Sequence, residues 1–178
     1  VLPLPATTLM VERVLGEALH SAVQNDQAAM ADRLLALGTA LNAERDATRV
    51  LELILRYARE FTRADAGSIY LVEDEGKRLV FKISHNDSVS ADLSEFSFPV
   101  SAQSIVGSAV LRGKTVRVDD LYGELDPQAT MPPWSHDRSF DQRFGYQTRS
   151  MLTVPMITPD RRVLAVIQLI NARRDVAP

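Results

Sequence analysis

The chain has 178 residues, 46% hydrophobic and 24% charged, with a formal net charge of −3. That balance suits a globular protein with one core of about 150 residues plus an appendage, and it gives no reason to expect nucleic acid or an anionic membrane as a partner. Cysteine is absent, which excludes disulfides, thiolate metal sites, a thiol nucleophile and a thioether-linked chromophore.

The opening Val1-Leu-Pro-Leu-Pro5 lacks the basic start and apolar core of a signal peptide. No apolar run approaches the roughly 20 residues of a membrane span. A cytoplasmic piece of a longer chain is therefore expected. Residues 1–41 form the first unit, a long N-terminal helix. Val11, Leu15, Ala18 and Ala22, and then Met30, Leu34, Leu37 and Leu41, recur in steps of four, three and four, with a slip of phase near Gln24–Gln27. A narrow stripe of this kind suits a helix pairing with a second copy of the chain through Met30, Leu34, Leu37 and Leu41. The alternative is an amphipathic helix packed on its own domain.

Residues 42–175 form the second unit. Asp46 is placed to cap a helix running to Phe61, whose Val50, Leu51, Ile54, Leu55 and Ala58 share one face. Ala66–Val72 reads as a strand, Glu73-Asp-Glu-Gly76 as a turn and Leu79–Ser84 as the returning strand. Phe96–Val100 is a third strand. Ser101 is placed to cap a helix holding Ile105, Val106, Ala109 and Val110, stopped by Gly113. Thr115–Val118 alternates as a fourth strand, residues 119–147 read as one long irregular stretch, and Met151–Ile157 and Val163–Ile170 form a closing hairpin around a polar turn. The order predicts an α+β fold, an antiparallel sheet of about six strands flanked by helices.

Catalytic signals are missing. His20, His85 and His136 lack metal-ligand spacing, and no phosphate loop, Ser-His-Asp order or carboxylate pair stands out. Asp119-Asp120 reads as a strand-end turn. Gln168 sits alone in an apolar strand, so its amide needs a partner wherever that face is buried.

Five segments carry a resemblance. They are Ala64-Asp-Ala-Gly-Ser-Ile-Tyr-Leu71, Ile105-Val-Gly107 with Gly113-Lys, Phe144-Gly-Tyr-Gln-Thr-Arg-Ser150, and Val166-Ile-Gln-Leu-Ile-Asn171, after the start at Leu41-Asn-Ala-Glu-Arg-Asp46. In order and spacing the chain resembles a GAF domain of the cyclic-nucleotide-phosphodiesterase and bacterial-sensor type over about residues 41–174. The resemblance implies a ligand-reading regulator rather than an enzyme. The family's methionine-sulfoxide-reducing members need thiols, which this chain lacks. It further implies a small-molecule ligand, a cyclic nucleotide foremost, held between sheet and capping helix. Ser68 and Gln168 would meet it from the strands, and Ser84 or His85 would lie beside the base. Val106 and Gly107 would offer N–H groups to a phosphate, and Thr148 would reach it from the loop. Phe144 stands where several nucleotide binders have a small residue. A homodimer and an output domain on the longer chain (a cyclase, phosphodiesterase or histidine kinase) complete the expectation. The alternative is a ligand-free dimerisation module whose pocket is filled by Phe144 and Met151.

Overall fold

The structure is a computed structural model that describes Gly16 and residues 27–89, 95–122, 134 and 139–172. Most of residues 1–26 therefore lies outside the description, and the long N-terminal helix is seen only from Gln27. That helix, α1 (Gln27–Ala43), leads through a three-residue turn into α2 (Ala47–Thr62). Asp46 caps α2 as its sequence position suggests, accepting from the N–H groups of Thr48 (2.8 Å) and Arg49 (3.4 Å). The helix ends where Arg63 turns left-handed.

The sheet follows: β1 (Ala64–Glu73), β2 (Arg78–Asn86), β3 (Ser97–Pro99), β4 (Val116–Val118), β5 (Met151–Ile157) and β6 (Val163–Ala172). Its order is β3-β2-β1-β6-β5-β4, and every pairing is antiparallel. The closing hairpin thus lands beside β1, in the middle of the sheet. Between β3 and β4 lies α3 (Ile105–Arg112), and α4 (Ser139–Phe144) precedes β5. The expected irregular stretch therefore contains a short helix.

Strand alternation sorts the sheet into two faces. On one face Ile69, Val154, Met156, Ala165, Ile167 and Leu169 pack beneath Ile54, Leu55, Ala58 and Phe61 of α2. The approach is close at Gly67, where a Cβ would stand 2.9 Å from Leu55 Cδ1 and 3.0 Å from the Gln168 carbonyl oxygen. Any larger residue there would push α2 off the sheet. On the other face Leu79, Met151 and Val166 meet Ile105, Val106 and Ala109 of α3, together with Val116 and Val118.

Two expectations change here. Leu37 and Leu41 are only 1% and 5% exposed, and both belong to the α2-side core, with Leu34 packed against it. Their apolar surface is removed from water inside the domain, so these two leucines are not free to form a seam with a second chain. The side chain of Met30 lies outside the described residues. Second, the cap of α3 is Ser104, whose hydroxyl accepts from the Gly107 N–H at 2.9 Å. Ser101 instead makes the preceding turn, accepting from the Gln103 N–H. Asp120 behaves as a strand-end residue, accepting from the Tyr122 N–H at 2.9 Å. No helix among the described residues is long and apolar enough to cross a membrane.

Candidate functional site

The α3 face carries a feature that core packing does not require. Ser84 on β2 pairs with Ser68 on β1, Ser68 pairs with Gln168 on β6, and Gln168 pairs with Thr153 on β5. Four polar side chains therefore stand directly opposite one another across four consecutive strands. Ser68, Thr153 and Gln168 are buried and Ser84 is partly so. Their strand neighbours on the same face, Val166 and Tyr70, belong to the apolar layer under α3. Burying polar groups in such a layer is unfavourable unless each finds a partner.

Some partners come from within the row. The Gln168 amide donates to Met151 Sδ (3.0 Å) and Thr153 Oγ1 (3.3 Å). Burial pushes the Tyr70 phenol above its ordinary value, with a hydrogen bond to Ser68 pulling it the other way, so the ring acts as a neutral polar neighbour. Among the described residues three buried side-chain atoms have no partner: Arg59 Nε on α2 and, on the α3 face, Ser108 Oγ and Trp134 Nε1. Trp134 packs against the same apolar layer as α3.

A second network ties the loop after α4 to the sheet. The Asp141 carboxylate, 5% exposed, accepts from the Tyr122 hydroxyl (2.6 Å), the Thr148 N–H (2.8 Å) and the Thr148 hydroxyl (2.8 Å). Asp65, at the start of β1, accepts from Ser88 Oγ (2.8 Å) and the Tyr146 hydroxyl (2.9 Å). The Tyr146 phenol is pushed well up, first by burial and then by the Asp65 carboxylate. Asn171, at the end of β6, accepts from the N–H groups of Arg149 (2.8 Å) and Ser150 (3.1 Å) and donates to the Tyr146 hydroxyl (3.1 Å) and the Gln147 carbonyl (2.8 Å).

The structure thus brings together Ser68, Ser84 and Gln168, and it separates the other expected residues from them. His85 follows Ser84, pairs with Gly67 and is exposed. By alternation it falls on the α2 face rather than in the row. Val106 is an apolar core residue of the α3-side cluster. The Gly107 N–H is spent on Ser104, and a Cβ at Gly107 would stand 2.2 Å from the Ser101 carbonyl oxygen, so the helix start is closed by its own chain. The N–H and hydroxyl of Thr148 both go to Asp141. Phe144 is half-buried at the end of α4, with the Arg143 guanidinium 5.2 Å from its ring centroid.

Thr153, Ser108 and Asp141 were not legible as site residues. A lone Thr in the run Met151–Ile157 was the available signal for the first, and its alternation with Met151 put it on the face of Gln168. Asp141 offered none, because its donors come from two other segments, at Tyr122 and Thr148.

Chemically the row can recognise a ligand by hydrogen bonds. Its hydroxyls adjoin amide, phenol and thioether groups, with no imidazole or carboxylate among them to act as a base. No group of three His, Asp or Glu that could hold a metal ion occurs among the described residues.

Comparison with known proteins agrees with this architecture. The family model described as the GAF domain matches residues 44–176. Among solved structures, the GAF domain of the Acinetobacter phosphoenolpyruvate-protein phosphotransferase is similar, with 18% identity, 85% of this chain and 83% of that one covered, and a TM-score of 0.59. A methyl-accepting chemotaxis protein fragment, its residues 122 to 287, gives 11% identity, 81% and 85% coverage and a TM-score of 0.61. The free methionine-R-sulfoxide reductase of Neisseria meningitidis, solved with its substrate, gives 20% identity, 88% and 81% coverage and a TM-score of 0.56. At these identities the solved structures speak for the fold, while the family match spans most of the chain: this protein belongs to the GAF domain family.

Proposed function

We propose that this GAF domain is a regulatory sensor that receives a small molecule on the α3 face of its sheet and passes its occupancy to an output domain of a longer cytoplasmic protein. The observation that supports the reading is the row Ser84–Ser68–Gln168–Thr153. Apolar residues of similar volume would pack that layer without desolvating four polar side chains, and the unpartnered donors beside the row, Ser108 Oγ and Trp134 Nε1, each cost about 1–3 kcal/mol. A row kept polar at such a cost fits recognition better than it fits stability. The cyclic nucleotide implied by the resemblance finds polar groups for its base here, but its phosphate finds the start of α3 already capped. Homodimerisation, the other part of the reading, would have to use surface other than Leu37 and Leu41. On α1 the exposed leucine is Leu35, at 70%.

A ligand-free scaffold is the second reading, and one observation favours it: the Gln168 amide already has Met151 and Thr153 as partners. Gln168→Leu separates the two. In a sensor the variant keeps or gains stability without ligand and loses the response to ligand. In a scaffold it loses stability by about 1–3 kcal/mol because the row's own bonds are broken. Native mass spectrometry of the wild type, with calorimetric titration of cyclic AMP and cyclic GMP, completes the test. No retained mass and no heat at millimolar ligand, together with a destabilised Gln168→Leu, would refute the sensor and leave the scaffold.

A further inference from the structure

The α3 layer holds two donors that no protein group satisfies. Ser108 is 1% exposed and its Oγ lacks a partner. It sits three residues after Ile105 and one before Ala109, both packed on the sheet, so its hydroxyl is directed into the layer between helix and strands. The carbonyl one turn back, that of Ser104, receives the Ser108 backbone N–H at 2.8 Å. Trp134 places its buried, unpartnered Nε1–H against the same cluster. Buried donors are nearly always satisfied in a folded protein, so two unsatisfied ones in one layer mark places for an acceptor other than a protein group, a ligand or the water it would displace.

The charge of that acceptor is constrained. Ser84, Ser68, Gln168 and Thr153 are all uncharged, and among the described residues no Lys or Arg belongs to this row. The start of α3, the usual place for an anion, is closed by Ser104 and by the Ser101 backbone. Beside Thr148 the buried group is a carboxylate, Asp141, already bonded to Tyr122 and Thr148. A phosphate or carboxylate placed here would lose its water without gaining a counter-charge from the row or from the start of α3. A cation would find Asp141 already occupied by three donors.

We infer that the site takes an uncharged ligand bearing hydrogen-bond acceptors, with Ser108 and Trp134 as the donors that select it. This rests on the sensor reading above. It departs from the cyclic nucleotide by excluding the phosphate rather than the ring.

The chain has a single tryptophan, so one indole N–H resonance reports on Trp134 directly. Probes are matched in pairs that share a ring and differ in charge: adenosine with cyclic AMP, guanosine with cyclic GMP, and nicotinamide with nicotinate. The expected result is that uncharged members move the indole resonance downfield and raise Tm, while their charged partners bind at least about tenfold more weakly. Ser108→Ala is expected to weaken the uncharged probes about 3- to 10-fold. It should also leave the ligand-free Tm unchanged or raised, because it deletes an unsatisfied hydroxyl. A purely structural serine would not separate those two readouts. Equal or tighter binding of the charged members would overturn this inference and leave the sensor standing. So would binding that leaves the indole resonance and the Ser108→Ala affinity unmoved. Silence toward every probe at millimolar concentration would overturn the inference, and the sensor reading would fall with it where Gln168→Leu is also destabilised.

Discussion

Leu37→Ala tests whether α1 belongs to the domain or to a partner. Leu37 is 1% exposed and shares a cluster with Leu41, Ile54, Leu55 and Ala58. Truncating a fully buried leucine removes its transfer free energy and leaves a cavity, a cost of about 2–5 kcal/mol. Set against a typical domain stability of about 5–15 kcal/mol, that is a large fraction. It corresponds to a fall in Tm of roughly 5–20 °C for a chain of this size. Because the lost contacts lie within one chain, the loss should be the same at low and high protein concentration. A residue in an intersubunit seam would instead make stability depend on concentration through mass action. The assay is urea unfolding at two protein concentrations a hundredfold apart, with light scattering on the same samples. A loss below about 1 kcal/mol would refute the packing argument. So would a loss that grows on dilution, or a change of molecular mass with an intact core.

Three other perturbations probe the site's surroundings. Gly107→Ala places a methyl group 2.2 Å from a backbone oxygen; it should cost at least about 1–3 kcal/mol as an overpacking substitution, seen as a lower urea midpoint with an unchanged slope. Asp141→Ala strips Tyr122 and Thr148 of a shared charged acceptor; a stability loss of about 3–5 kcal/mol is expected, with hydrogen exchange speeding up at Thr148 before it does in β6. At high pH the sign follows from the raised Tyr146 phenol. The folded state holds this proton more tightly than the unfolded chain does, so its contribution is complete below the ordinary tyrosine value of about 10 and declines above it. Tyr146→Phe should therefore flatten the alkaline decline measured by denaturant titration, and an identical decline would refute the assignment.

The parts of the fold legible in the sequence are those written in local pattern. Met151–Ile157 is a continuous apolar run between polar breaks and is a strand over those same residues. Asp46 precedes an amphipathic helix and caps it. Both depend on near neighbours. Ser101 and Ser104 are nearly equivalent by that measure, and the choice fell to Ser104 because the chain folds Ser101 back over Gly107, a contact that spacing does not show. The stripe through Leu34, Leu37 and Leu41 was legible as apolar, but periodicity cannot say whether a face meets its own sheet or another chain. For the site, Gln168 stood out as a polar residue between apolar ones, and Ser68 and Ser84 came with the family resemblance. Their assembly into one row is a matter of strand register. So is the addition of Thr153, since register becomes visible only once β6 is known to lie between β1 and β5.

Asn171 has a mechanical consequence. It adopts a left-handed backbone at φ 53° where β6 ends, and four hydrogen bonds from its one side chain grip Tyr146, Gln147, Arg149 and Ser150. The end of β6 is thereby tied to the segment before β5. Shifting that segment must either break the four bonds or turn the residue they hold. Asn171 is thus a clasp that fastens the end of β6 to the segment before β5.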